Sequence, residues 1–176
     1  MDQELLDAIA GYIDAARRVL VVGHVAPDGD AIGSVLALGH LLEAQRKMPI
    51  LACQDPVPHE MMFLPGSDRI VQQVQGPYDL VISVDSSDRL RMGNVVDEAG
   101  TPGESCASTA VPLINIDHHV TNTLFGTVNW VDPDSVSTTQ MVLALADALG
   151  WEVDAETATC LLNGMVTDTR SFRTVN

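Results

Sequence analysis

Basic side chains are scarce in this chain of 176 residues: 9 Lys and Arg stand against 24 Asp and Glu, for a net charge of -15. Duplex binding needs several cations on phosphates, which excludes a nucleic-acid binder of the ordinary basic kind; no duplex DNA partner is expected. Apolar runs are broken by charged residues or glycine well before the ~18 positions of a membrane span, so no membrane partner is expected either. Met1-Asp2-Gln3-Glu4 has neither the basic start nor the apolar core of a signal peptide. Only Cys53, Cys106 and Cys160 carry thiols, and no CxxC spacing occurs. That usage fits reduced thiols in a cytoplasm, the expected location, better than a disulfide framework or a zinc site. No internal repeat or low-complexity tract is present.

What is present suffices for one α/β core and is too short for two full domains, at 46% hydrophobic residues. Strand-like runs at 18–23, 49–53, 78–84, 112–116 and 126–131 alternate with helical spacing at 30–44, 137–149 and 155–165. Pro56, Pro58, Pro65 and Gly66 break the pattern into turns and a short helix, and the small, turn-forming residues of 98–110 read as a surface loop. The rhythm predicts a mostly parallel sheet with right-handed crossovers and helices on both faces, a doubly wound α/β fold.

Acidic and imidazole residues follow the strands. In His24-Val-Ala-Pro-Asp28-Gly-Asp30 a tight loop can turn one imidazole and two carboxylates toward one point, a donor set suited to Mn²⁺, Mg²⁺ or Fe²⁺. Read more plainly, Asp30 is a helix cap and Pro27-Gly29 a turn, which leaves His24 and Asp28 unexplained. Asp85 after the 78–84 run and Asp168 near the end of the last helix are, one at a time, ordinary loop or helix-end residues. His118-His119, directly behind an apolar strand and Asp117, has no packing purpose. Four such clusters in one chain are far more specific than any one of them, and they point to one metal-centred site.

In this order, His24-x-x-x-Asp28-x-Asp30, Asp85, Asp117-His118-His119 and Thr167-Asp168-Thr169 resemble the four motifs of the DHH phosphoesterase family. The likeness covers nearly the whole chain. Pro27-Asp28-Gly-Asp30-Ala-Ile-Gly-Ser34 and Thr167-Asp-Thr-x-Ser-Phe-Arg173 are most similar to its oligoribonuclease and pAp phosphatase branch, relatives of the RecJ exonuclease. The resemblance implies hydrolysis of short oligoribonucleotides or 3′-phosphoadenosine 5′-phosphate (pAp) with two Mn²⁺ ions, Mg²⁺ or another divalent ion being the substitute. It makes His24 and Asp28 ligands of one ion, Asp30, His118 and Asp168 ligands of the other, and Asp85 the bridge. Asp117 then orients an imidazole, His119 meets the scissile phosphate or the leaving group, and Arg91 and Arg173 are candidates for substrate contacts. A homodimer is compatible with this picture. Two alternatives stay open, a manganese-dependent inorganic pyrophosphatase and a catalytically silent metal-binding module. The chain departs from the family in carrying Arg170 where relatives commonly have Gly. It also reaches Asn176 directly after the fourth motif, so residues 1–176 read as the DHH catalytic domain, without the DHHA1 substrate domain that follows it in the family.

Overall fold

A computed structural model describes residues 1–95 and 111–173; the 98–110 segment and Cys106 lie outside the described residues. Five short strands, β1 (Arg18–Val22), β2 (Met48–Ala52), β3 (Leu80–Val84), β4 (Leu113–Asp117) and β5 (Val128–Val131), form one sheet in the order β2-β1-β3-β4-β5. Every neighbouring pair is parallel. Continuous apolar runs are what a parallel strand needs, because both of its faces are covered. β3 and β4 are buried along their whole length.

Four α-helices lie among the described residues: α1 (Gln3–Ala15), α2 (Gly29–Ala44), α3 (Thr138–Leu149) and α4 (Ala155–Asp168). The first was not anticipated from the sequence. Its signals are Asp2, whose carboxylate accepts from the Leu5 amide at 2.8 Å, and a stripe of Leu5, Leu6, Ile9 and Ile13 that packs into the core. Asp28, not Asp30, caps α2, accepting from the Asp30 and Ala31 amides. That moves Asp30 into the first turn, where it is buried.

The α/β class and the parallel sheet stand as expected. Side chains of all four α-helices join one core cluster with Val19, Val21, Ile82 and Ile114. The opposite face, built on Leu20, Val22, Val81 and Leu113, is covered among the described residues by Tyr78, Val95 and Met92 of the 3-10 turn Arg89–Met92. Prolines explain part of this. Between β2 and β3, Pro56, Pro58 and Pro65 leave room only for 3-10 turns at His59–Met61 and Ser67–Arg69.

Two glycines let α2 and α4 cross closely enough to carry the end of α4 to the sheet edge. A Cβ on Gly33 would stand 2.6 Å from the Cys160 carbonyl, and one on Gly164 would stand 2.5 Å from Thr139 Oγ1 and 2.7 Å from Asp30 Oδ1. Gly11, in α1, has open space around it. Gly33→Ala is therefore expected to destabilise by roughly 1–3 kcal/mol through overpacking. Gly11→Ala should stabilise by roughly 0.5–1 kcal/mol through helix propensity. Paired denaturant titrations check both signs, and equal shifts in the same direction would contradict the close crossing.

Candidate metal centre

Strand order β2-β1-β3-β4-β5 reverses direction between β1 and β3, and ligands of open α/β sheets gather outside the carboxyl ends of the strands at such a switch point. His24 follows β1, Asp85 follows β3, and Asp117 ends β4 with His118 and His119 behind it. The start of α2 adds Asp28 and Asp30, and the last residue of α4 is Asp168. All six residues read from the sequence as metal ligands converge. One group of donor atoms within 4.8 Å of one another comprises His24, Asp28 and Asp85, and a second comprises Asp30, His118 and Asp168.

Asp85 stands between them. Its Oδ2 lies 3.5 Å from His24 Nε2 and its Oδ1 lies 3.8 Å from His118 Nε2. A positive φ of 58° at this buried, non-glycine residue aims the carboxylate there, a backbone conformation of the kind that concentrates at functional sites.

The imidazoles divide by what their Nδ1 atoms touch. His24 Nδ1 donates to the Val25 carbonyl at 2.8 Å and His118 Nδ1 to the Ser135 carbonyl at 3.2 Å, so both keep Nε2 toward the carboxylates. His119 Nδ1 instead meets Asp117 Oδ1 at 2.7 Å. A third donor group joins His119 with Asp85 and His118, but its short distance to Asp85, 3.6 Å, runs through the same Nδ1 that Asp117 already holds.

Charge crowding sets the protonation of the site. Burial lowers the pKa of His24, yet contacts with Asp28, Asp85 and the Val25 carbonyl outweigh it and push it up to about 10. Asp28 sits at the mouth, its side chain 60% exposed. Partial desolvation raises its pKa, but His24 and the Ala31 and Asp30 amides hold it down at about 2. Burial first and the Asp85 charge second push Asp30 up to about 8, against hydrogen bonds from α3. Asp168 is shifted upward too, by burial and by Asp85 and Asp28, with His118 opposing. The upward shift of His24 marks a place between two carboxylates where positive charge is favoured, and a mixed set of carboxylate and imidazole donors fits Mn²⁺, Mg²⁺ or Fe²⁺.

Helix α3 holds residues that the sequence reading passed over. Its N-terminal amides of Thr138 and Thr139 donate to Asp30 at 2.6 and 2.9 Å, the Thr139 hydroxyl does so at 2.7 Å, and the Thr138 hydroxyl reaches Asp85 Oδ1 at 3.1 Å. A helix N-terminus is a natural anion anchor, and a capping pattern, Ser137 followed by Gln140, marks it in the sequence. Of the two candidate arginines, Arg91 is brought to the site. Its main-chain carbonyl accepts from the Val25 amide at 2.7 Å, and its charge opposes protonation of His119. Arg173 is exposed on the turn beyond α4, and no contact among the described residues joins its side chain to the cluster. Arg170 has a φ of 48°, in the left-handed backbone region that glycine favours.

Fold and site together define a parallel α/β domain with a histidine-carboxylate cluster suited to divalent cations at its topological switch point. Residues 18–165 match the DHH family, N-terminal domain, and the chain belongs to that family. It is 39% identical, over 98% of its length, to the bifunctional oligoribonuclease and PAP phosphatase NrnA of Thermus thermophilus, and 29% identical over 98% to the NrnA of Bacillus subtilis. Those alignments cover 48% and 51% of the relatives, so the chain spans about half their length. An exopolyphosphatase-related protein from Bacteroides fragilis superposes with a TM-score of 0.86 at 27% identity, covering 97% of this chain and 52% of that one. No helix among the described residues is long and apolar enough to cross a membrane.

A cation that binds only the folded site raises stability by mass action, by about 2.7 kcal/mol at a hundredfold excess over Kd. Saturating Mn²⁺ should therefore raise the melting temperature by several degrees, and chelator should reverse the shift. An unchanged melting curve would mean that the converging carboxylates hold no divalent cation.

Proposed function

We propose that this chain is the catalytic half of a metal-dependent phosphohydrolase acting on short oligoribonucleotides or pAp. The observation that carries the reading is the placement of Asp85, with one oxygen toward each of two donor groups. His24, Asp28 and Asp85 would hold one divalent ion, and Asp30, His118 and Asp168 the other, with Asp85 shared. Mn²⁺ suits these donors, and Mg²⁺ is the substitute. Ions so bound supply Lewis acidity toward phosphoryl oxygens and a nucleophile at neutral pH.

The remaining work falls to the chain's own groups. Asp117 fixes the His119 ring, which is 41% exposed and faces the substrate phosphate or its leaving group. Arg91 adds positive charge beside it for a second phosphate. Arg173 has no role in this reading. The two NrnA relatives, by name, act on oligoribonucleotides and PAP, and the half of their length beyond this match would correspond to a DHHA1 domain closing the cleft. A cytoplasmic setting accompanies the proposal, consistent with buried, unpaired Cys53 and Cys160. The exopolyphosphatase-related neighbour makes phosphoanhydrides the competing substrate class.

The test is a substrate panel with Mn²⁺: phosphate release from pAp, mononucleotide release from a diribonucleotide, and phosphate release from pyrophosphate. Turnover of the first two is expected, at an efficiency that depends on how closely residues 1–176 alone position the substrate, since rate is sensitive to positioning. Release from pyrophosphate alone would transfer the chain to the competing class, and no release from any would leave a metal-binding module. Within the panel, His119→Ala should lower turnover by roughly 10²-fold, as for loss of a positioned proton donor, with bound metal unchanged. Collapse of metal content in that variant would exchange the roles of His118 and His119.

A further inference from the structure

We propose that Asn122 is the positioning residue of this site, the side chain that holds the Asp117 carboxylate and through it sets the His119 ring. Asp117 is fully buried, and its two oxygens are divided between two partners: Oδ1 to His119 Nδ1 at 2.7 Å and Oδ2 to Asn122 Nδ2 at 2.6 Å. Nothing else among the described side chains reaches Oδ2. Besides these two side chains the buried carboxylate has only the His119 main-chain amide as a donor, so removing the Asn122 amide takes away the one side-chain bond to Oδ2, a loss relieved most cheaply by turning Asp117 away from its present rotamer. His119 then loses the acceptor that fixes its ring.

The amide itself has no freedom to turn. Its Nδ2 carries two hydrogens and faces three oxygens: Asp117 Oδ2, Asn115 Oδ1 at 2.7 Å and the Ser86 carbonyl at 3.2 Å. Asn115 Nδ2 already donates to the Ser86 carbonyl at 3.1 Å, so the two short contacts take the two hydrogens. Asn122 Oδ1 accepts from the Leu124 amide at 2.7 Å. A flipped amide would set its oxygen against Asp117 and Asn115 and its NH₂ against an N–H. The Asn122 amide nitrogen donates to the His119 carbonyl at 3.1 Å and that of Thr123 to the Ser87 carbonyl at 2.8 Å, tying this turn to the segment after Asp85. The Asn122–Thr123 turn thus joins the segment that follows the shared carboxylate to the Asp117–His119 pair, by the Thr123 main-chain amide on one side and the Asn122 side chain on the other. His119 keeps Nδ1 on Asp117, and its Nε2 has no hydrogen-bond partner among the described residues, which leaves that nitrogen for a substrate.

The inference rests on the phosphohydrolase reading for its catalytic consequence, not for its geometry, and the experiment separates the two. Asn122→Ala and the isosteric Asn122→Asp are compared with wild type and with Thr123→Val, whose hydroxyl bonds only the Ser87 carbonyl. ¹⁵N-histidine NMR of the Mg²⁺-loaded chain reads the His119 Nδ1–H, and hydrolysis of bis(p-nitrophenyl) phosphate with Mn²⁺ gives kcat, KM and bound metal. Both Asn122 variants should lose or shift the Nδ1–H signal and lower kcat roughly 10–100-fold, with KM and metal content near wild type, as for loss of a supporting hydrogen bond. Thr123→Val should match wild type. An unchanged Nδ1–H signal in both variants overturns the proposal, as does a fall in metal content that parallels kcat, or unfolding of both variants. Absence of wild-type hydrolysis counts against the phosphohydrolase reading alone, and the NMR comparison still decides the role of Asn122.

Discussion

The Asp85 carboxylate, 1% exposed and held at a left-handed backbone angle, lies within 4 Å of imidazole nitrogens belonging to two separate donor groups. Crowding a second buried carboxylate, Asp30, into the same space is unfavourable unless charge is compensated, because a low-dielectric interior penalises both desolvation and like-charge repulsion. The protein meets that cost from several directions. The His24 ring faces Asp85 and Asp28, the N-terminus of α3 faces Asp30, and the Thr138 hydroxyl donates to Asp85 Oδ1. Cations at the two donor groups would complete the compensation. Much of the surrounding architecture follows from keeping these carboxylates together.

Topology and packing both serve that end. Parallel strands deliver His24, Asp85 and Asp117 to one edge of the sheet, and the reversal between β1 and β3 opens the crevice into which they point. Asp168 comes from far along the chain, and it arrives because Gly33 and Gly164 allow α4 to lie almost against α2. Gly164 also packs against Asp30 and Thr139, so the close helix crossing and the anion anchor of α3 are one packing problem.

Much of this was legible in the sequence, for reasons that differ residue by residue. The strands at 18–22, 80–84 and 113–117 announce themselves as apolar runs because both faces are buried, and the metal-donor residues stand out because acidic and imidazole side chains at strand ends have no packing purpose. Periodicity also places α2, α3 and α4 closely, whereas α1 carries only a modest stripe behind Asp2 and was passed over. Asp28 and Asp30 look alike as caps in sequence; only the backbone puts the first at the helix cap and the second inside the first turn. Thr138, Thr139 and Asn122 were illegible for a general reason. Threonine and asparagine are common cap and turn residues, and what distinguishes these three is a partner that is remote in sequence or buried by tertiary packing. Where the described helices lie likewise depends on which crossovers the prolines interrupt, a property of topology more than of local pattern.

The central claim is that one carboxylate serves two ion sites. Electron paramagnetic resonance of the chain titrated with Mn²⁺, alongside elemental analysis, tests it most directly, because ions sharing a carboxylate are magnetically coupled whereas isolated ions are not. The account predicts two ions per chain at saturation with a coupled spectrum, and in Asp85→Ala an isolated-ion spectrum with fewer ions bound. One ion per chain, or two that remain uncoupled in wild type, would contradict it.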